Sequence, residues 1–552
     1  MTGADLIAKI LKLEGIDCLP CFPHSMIIDS AAKVGIRPIV VRQERHAMHI
    51  ADGYARMGAG HSFCATTVQH GPGSENVSGA IAQCFSENVP VIHIPGGYPR
   101  AEVGVSPNFS ATRNLSHITK SCAMVQMAER IPQMMQNAFA QLRNGRPGPI
   151  VIEVPEDIFA EEVSDELLDL YKPQRRSRPV ADAAELAELA DLLLNSSNPV
   201  IVAGQGILNA DACDELRELA ERAQVPVMTT QGAKSALPDA HPLCLGCGGN
   251  SRSSALNHFL GKADAVIGMG TSFTHSNYIT PIPTRGRTFA QLTNWEGDIS
   301  KDYPIDVGII GDAKSSLSAL NQLLAERLGE APPEGRHNVA AEVTSEKQKF
   351  MEQWLPLLTS DEKPISPYRV IWDLMHSLDR GRSVVTHDAG SPRDQTTVFF
   401  ETTVPRSYMG WGKTTQLGTG LGLAHGAKLA KPDHQVVNIM GDASIGMVGM
   451  DFETGVRCGI GTLTVVLKNS VMGGYSDYHP VASEKHQIEV LGGDYADLAR
   501  SLGGHGERVE EPGAVKDALS RALEATAKGT PALVECITSE EHRIPLELPD
   551  GL

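Results

Sequence analysis

No apolar run in this sequence reaches the roughly 18 residues that a membrane-spanning helix needs, and the opening MTGADLIAKILKLEGIDCLPCF lacks a charged segment leading into a long apolar one. Both absences point to a cytoplasmic protein with no membrane partner. Blocks of like charge are missing too. With 66 acidic against 48 basic residues the formal charge is −18, which argues against a nucleic-acid or anionic-membrane binder. Cysteine is scarce, ten in 552 residues, and a chain of this length buries its cores without disulfide staples. Two C-x-x-C pairs occur, Cys18/Cys21 in an apolar strand-like run and Cys244/Cys247 in what reads as a Gly-rich loop. A zinc site would need them to converge from different domains, so we read them as core thiols. No tandem repeat is visible and no G-x-G-x-x-G fingerprint occurs.

What is present is alternation. Short apolar runs (RPIVVRQ, HSFCATT, PVIHIPG, GPIVIEVP) alternate with helix-like segments, the signature of a parallel sheet with crossover helices. The pattern restarts after YKPQRRSRPVADAAE, and again after a charged, Pro-rich stretch running from LAERLGEAPPEGRHN to TSDEKPISPY. The reading is α/β, three consecutive doubly wound, mainly parallel-sheet domains, at 1–170, 180–330 and 365–552.

Ligands of such sheets bind at the carboxyl ends of strands. The run QVVNIM ends in Gly441-Asp442-Ala443-Ser444, and TLTVVL ends in Lys468-Asn469, 27 residues beyond Asp442. That interval fits one helix and one strand, so the two ends are expected to be neighbours. One carboxylate and one amide oxygen are hard ligands suited to Mg²⁺ or Ca²⁺, too few to cage it alone, with waters, backbone carbonyls or substrate phosphates filling the shell, which reads as a diphosphate-magnesium site. Gly441 permits the turn, and the following helix offers free N–H groups to an anion. Ser470-Val471-Met472-Gly473-Gly474 opens a second ligand loop.

These residues resemble the thiamine-diphosphate (ThDP) enzymes of the acetolactate synthase, pyruvate oxidase and 2-oxo acid decarboxylase group, and in particular the acetolactate synthase large subunit. That family's GDG or GDA, then NN, stands here as Gly441-Asp442-Ala443 and Lys468-Asn469. The resemblance implies that Asp442, Asn469 and the carbonyl of Val471 hold Mg²⁺ on the cofactor diphosphate, with Lys468 replacing the first Asn. VVRQERHAMHIADGYARMGAG is similar to the family's HEQxAxxxAxGYARxxG, which puts Glu44 on the glutamate that protonates the aminopyrimidine ring. Thr414 to Gly422 stands where the family has its cofactor-bending stretch. That implies Leu417 as the apolar wedge and backbone groups of Thr415 and Leu417 as pyrimidine partners. GPGSENVSGAIAQCFSENVP and GRPGPIVIEVPEDIF extend the likeness over most of the chain. The family builds its site from two subunits, so a homodimer or homotetramer is implied, with three domains that bind pyrimidine, sit centrally and bind diphosphate.

The substrate side departs from acetolactate synthases. Phe22-Pro23-His24-Ser25 and Val68-Gln69-His70-Gly71 stand where they have small residues and Ser, so His24 and His70 are candidate proton shuttles and Ser25 and Gln69 candidate pocket residues. Phe109 matches an acceptor-site Phe, but Ser110 replaces a glutamine. FAD is a further expectation left open, because VIVAGQGI and VIGMGTSF are turns of the right kind, although GTSFTHS lacks the arginines of the family's GARFDDR. The expected activity is decarboxylation of a pyruvate-like 2-oxo acid with carboligation to a second carbonyl, giving a 2-hydroxyketone or acetolactate-type product. The alternatives are a ThDP-dependent C–C hydrolase or lyase acting on a diketone or acyloin, and a non-catalytic regulatory or assembly subunit.

Overall fold

Three sheets follow one another along the chain, and every ladder in them is parallel. The computed structural model describes residues 1–545 apart from 59, 277 and 330–332. The first sheet runs Arg37–Val40, Cys18–Phe22, Ala65–Val68, Ile92–His93, Ile150–Pro155 and Gly96–Gly97, with Ser121–Met124 also paired to Ile150–Pro155. The second runs Cys244–Gly248, Val227–Thr230, Pro199–Ala203, Ala265–Met269, Thr288–Thr293 and Val307–Ile310. The third runs Tyr408–Met409, Ser383–His387, Gln435–Gly441, Leu463–Lys468, Ala532–Ile537 and His505–Val509. In each, the chain winds outward from an inner strand and then reverses. The three reversal points, where ligand crevices form, lie between Cys18–Phe22 and Ala65–Val68, between Pro199–Ala203 and Ala265–Met269, and between Ser383–His387 and Gln435–Gly441.

Each sheet carries its own core of buried aliphatic side chains. Helix Gly3–Leu13 shows how one is seeded. Thr2 Oγ1 accepts from Asp5 N at 3.2 Å while the Asp5 carboxylate accepts from Thr2 N at 3.1 Å, a closed cap. Leu6, Ile7, Ile10 and Leu11 then fall on one fully buried stripe, each such side chain contributing about 1.5–3 kcal/mol.

Two readings of the sequence change. Cys244–Gly248 is an edge strand rather than a loop, paired with Val227–Thr230 through a register shift at Cys244/Gly246; its glycines disguised it. The charged stretch before the third domain holds a 20-residue helix, Val339–Leu358, with Pro356 in its last turn. Only Val343, Phe350 and Leu358 of that helix are buried, so it shows little apolar periodicity. The cysteine pairs lie in two different sheets, and burial pushes Cys21 and Cys247 up to about 12. None of the described helices is long and apolar enough to cross a membrane.

The first and third domains dock through helices Glu44–Met57 and Thr419–Ala430. Glycine makes this possible: a methyl group at Gly53 would strike the backbone of Leu423, one at Gly426 that of Ile50, and one at Gly422 the side chain of His49. Within this seam His46 Nε2 and His425 Nδ1 lie 3.0 Å apart, both fully buried.

Candidate functional site

The strands ending at Gly441 and Lys468 are hydrogen-bonded neighbours, with Gly441 opposite Leu467, so the acid and the amide stand at adjacent strand ends. Asp442 opens helix Asp442–Val448 and is 3% exposed. Its Oδ2 accepts from Ser470 N at 2.7 Å and its Oδ1 from Ala443 N at 2.9 Å, while burial pushes its pKa up. The Ser470 bond ties the two loops together. Asn469 Oδ1 accepts from Val471 N at 3.1 Å, and Ser470 holds φ +62°, a tight turn that leaves Asn469 and Val471 half-buried. Ser444 is buried, Ala443 half-buried and Gly473 exposed, with Ser391 alongside Gly473.

Lys468 now has a reason. Its ammonium lies 3.0 Å from Glu535 Oε1, a carboxylate with no exposure on the adjoining strand, and also bonds the Gly493 carbonyl. It points beneath the loop and fastens it.

One acid went unrecognised in the sequence. Asp388, at the end of Ser383–His387 and across the reversal point from Asp442, is fully buried. It accepts from the N–H groups of Ala389 (2.8 Å), Gly418 (2.9 Å) and Gly420 (2.8 Å) and from the Ser444 hydroxyl, and burial pushes its pKa up. It therefore fixes the loop carrying Thr415 and Leu417 to the loop carrying Asp442. Gly418, at φ +85°, makes the turn. Leu417 is half-buried against a cluster that includes Trp411 and Met409, and its carbonyl accepts from Arg45 Nη2 at 2.6 Å. The signal was HDAG after the apolar SVVT, the same strand-end acid pattern as at Asp442.

The first domain offers a second edge. Glu44 starts helix Glu44–Met57, 5% exposed, and accepts from Asn76 Nδ2 of the GPGSEN segment at 3.1 Å. The neighbouring strands Cys18–Phe22 and Ala65–Val68 bring the His24 and His70 loops side by side at the reversal point. His24 is exposed; Ser25 is buried, its hydroxyl 3.0 Å from Thr67 Oγ1. Gln69 is half-buried, and Phe109 packs at the edge of the core formed by Val77, Ile81 and Leu115. His70 has acquired a partner, Glu156 Oε1, 2.7 Å from Nδ1.

The reversal point of the central sheet opens into a cleft. It is lined by Gln205 and Gly206, by Gly270 to Thr274, and by Arg146 and Lys413 from the flanking domains. Gly206 N donates to Gly270 O at 2.9 Å, and a methyl group at Gly206 would lie 2.7 Å from that oxygen, so the turn is stripped to backbone. Burial brings the Lys413 ammonium down to about 8.

The first domain thus presents a buried glutamate, and the third a strand-end acid and amide, each at the edge of a doubly wound parallel sheet, the fold and site of a thiamine-diphosphate enzyme. The chain belongs to the thiamine pyrophosphate enzyme family. It matches the family's N-terminal TPP binding domain over residues 1–125, its central domain over 186–320 and its C-terminal TPP binding domain over 388–536. Among its relatives are a "probable acetolactate synthase large subunit" of Methanocaldococcus jannaschii, 29% identical over all of this chain and 94% of that protein, and the acetolactate synthase isozyme 3 large subunit of Escherichia coli, 26% identical over 100% and 97%. A glyoxylate carboligase of Escherichia coli O157:H7 is 27% identical over 97% and 93%. Within the family the chain is acetolactate synthase-like, a ThDP-dependent enzyme.

Proposed function

We propose that this enzyme decarboxylates a small 2-oxo acid of pyruvate size and joins the resulting acyl unit to a second carbonyl, using ThDP and Mg²⁺. The observation that carries the reading is the 2.7 Å bond from Ser470 N to Asp442, which joins the two loops a metal diphosphate would bridge. ThDP, when bound, supplies the nucleophilic carbon and the electron sink that decarboxylation requires. Asp442, Asn469 Oδ1 and the Val471 carbonyl would hold the metal, a hard-oxygen set, while Gly441, Ala443, Ser444 and Gly473 would line the diphosphate. Leu417, stiffened by Asp388, would support the cofactor from its apolar side, with Thr415 beside it. Glu44 would hold the proton shared with the aminopyrimidine ring, its carboxylate oriented by Asn76. His70, and His24 on the adjacent loop, would carry protons to and from the substrate oxygen, with Ser25, Gln69 and Phe109 bounding the pocket. The three working units are then 1–170, 180–330 and 365–552.

The central cleft supports a nucleotide cofactor, FAD among them: a backbone-only turn at a sheet reversal point, flanked by Arg146 and Lys413, suits a diphosphate. The second reading, cleavage of a diketone or acyloin by the same site, is favoured by the carboxylate bound to His70, since such a histidine can activate water.

The first test is CO₂ release from pyruvate with and without ThDP and Mg²⁺. ThDP-dependent release is expected; none, with ThDP demonstrably bound, would favour the second reading. We further propose a homodimer or larger assembly in which Glu44 of one subunit completes the site around Asp442 of the other. Glu44→Ala and Asp442→Ala should each be inactive, and co-refolding them should restore about a quarter of wild-type activity, because half the dimers are mixed and carry one intact site of two. A mixture that stays inactive would place both residues in one subunit's site.

A further inference from the structure

The surroundings of His70 go beyond a histidine on a pocket loop. Its Nδ1 lies 2.7 Å from Glu156 Oε1, its ring meets Tyr98 edge-on at a centroid distance of 4.6 Å, and its side chain is 32% exposed. Glu156 follows strand Ile150–Pro155, so the pair joins two strand ends 86 residues apart in the chain. The loop is held against Tyr98 as well: Gly71 adopts φ +65°, and a methyl group there would sit 2.8 Å from the phenol oxygen. The other charged groups nearby are already engaged. Asp157 and Glu161 bind Arg100, and Glu153 accepts from Thr112 and Ala111. Among the described residues, His70 is the ion-pair partner of Glu156.

We propose that Glu156 is a positioning residue: it accepts the Nδ1 proton of His70, fixing the tautomer whose Nε2 lone pair faces the open side of the loop, while Tyr98 sets the plane of the ring. A carboxylate in this place selects the tautomer that carries its proton on Nδ1. His70 then serves as base when a substrate hydroxyl gives up its proton and as acid when that proton returns, with no net change in the pair. This rests on the proton-shuttle role given to His70 above and adds the residue that makes it directional.

The test uses the full-length enzyme with ThDP and Mg²⁺, labelled with ¹⁵N-histidine, the His70 signal being identified by its loss in His70→Gln. The expected spectrum at pH 8 shows the Nδ1–H tautomer in the wild type, a mixture of tautomers in Glu156→Leu, and the Nδ1–H tautomer again in Glu156→Asp. On the donor established by CO₂ release, Glu156→Leu should lower kcat about tenfold or more with KM within about twofold, be largely rescued by Glu156→Asp, and add little to His70→Gln. An Nε2–H tautomer in the wild type, or an Nδ1–H tautomer that persists unmixed in Glu156→Leu, overturns the proposal. So does a Glu156→Leu enzyme that only loses thermal stability while its kcat stays in place. If instead the spectra are as expected but His70→Gln keeps full kcat, the pair stands as a structural unit and the shuttle role of His70 falls.

Discussion

Single side chains at the C-terminal edge divide into those proposed to hold the cofactor and those that hold the edge itself. Lys468 belongs to the second kind. It neutralises a carboxylate, Glu535, that has no exposure, and removing one member of such a pair leaves a buried charge at a cost of about 3–5 kcal/mol. Lys468→Met is therefore expected to lower the urea midpoint sharply, and Lys468→Met/Glu535→Leu to recover most of the loss. Asp388→Asn should act differently. It leaves an amide, with only one acceptor oxygen, under four donors and loosens the wedge loop; ThDP affinity, measured by calorimetry, is expected to fall about tenfold, in line with the worth of one or two charge-assisted bonds. Glu44, Asp442 and Asn469 could be singled out in the sequence because each sits in a local motif whose neighbours carry the information, and the structure places Asp442 and Asn469 at adjacent strand ends. Asp388 shares the strand-end position but has no second residue at a telling interval. Glu156 and Glu535 act on partners 86 and 67 positions away, and no local pattern announces such a pairing.

At the level of elements, the strands were readable because parallel-sheet strands buried on both faces appear as unbroken apolar runs, as in Ile150–Pro155 and Leu463–Lys468. Helix Val339–Leu358 was not, since it buries little and carries charge around most of its surface. The docking of Glu44–Met57 on Thr419–Ala430 was equally hidden. Gly53, Gly422 and Gly426 look like ordinary loop-forming residues, yet all three lie in helices and exist for close approach. Gly426→Ala should raise intrinsic helix propensity by about 1 kcal/mol and still destabilise the enzyme, because the methyl group meets the Ile50 backbone rather than a side chain that can move. The expected result is a fall in melting temperature with loss of activity; an unchanged or raised melting temperature would mean that the helices separate easily.

Across the whole molecule, buried imidazoles set the response to acid. Burial drives His46, His93, His387 and His425 down to about 3, against 6.5 for a free histidine. They stay neutral in the folded chain while the unfolded chain takes up protons. Their contribution is therefore intact above pH 6.5 and lost as pH falls from there toward 3. Asp388, Asp442 and Asp451, pushed upward by burial, act in the opposite sense, since the folded chain holds their protons longer. With four imidazoles displaced by several pH units, the net expectation is a urea midpoint that drops between pH 7 and pH 5, and a smaller drop in His93→Gln. The glycine seam has one more consequence. It unites residues such as Gly53 and Leu423 that are 370 positions apart, so during synthesis the first domain leaves the ribosome with this face bare and His46 without its partner until the last third of the chain is made. Contacts of such long range form late and leave nascent surface open to aggregation. The stripe that lets the finished halves lie so close is thus also the part of the nascent enzyme most in need of a chaperone.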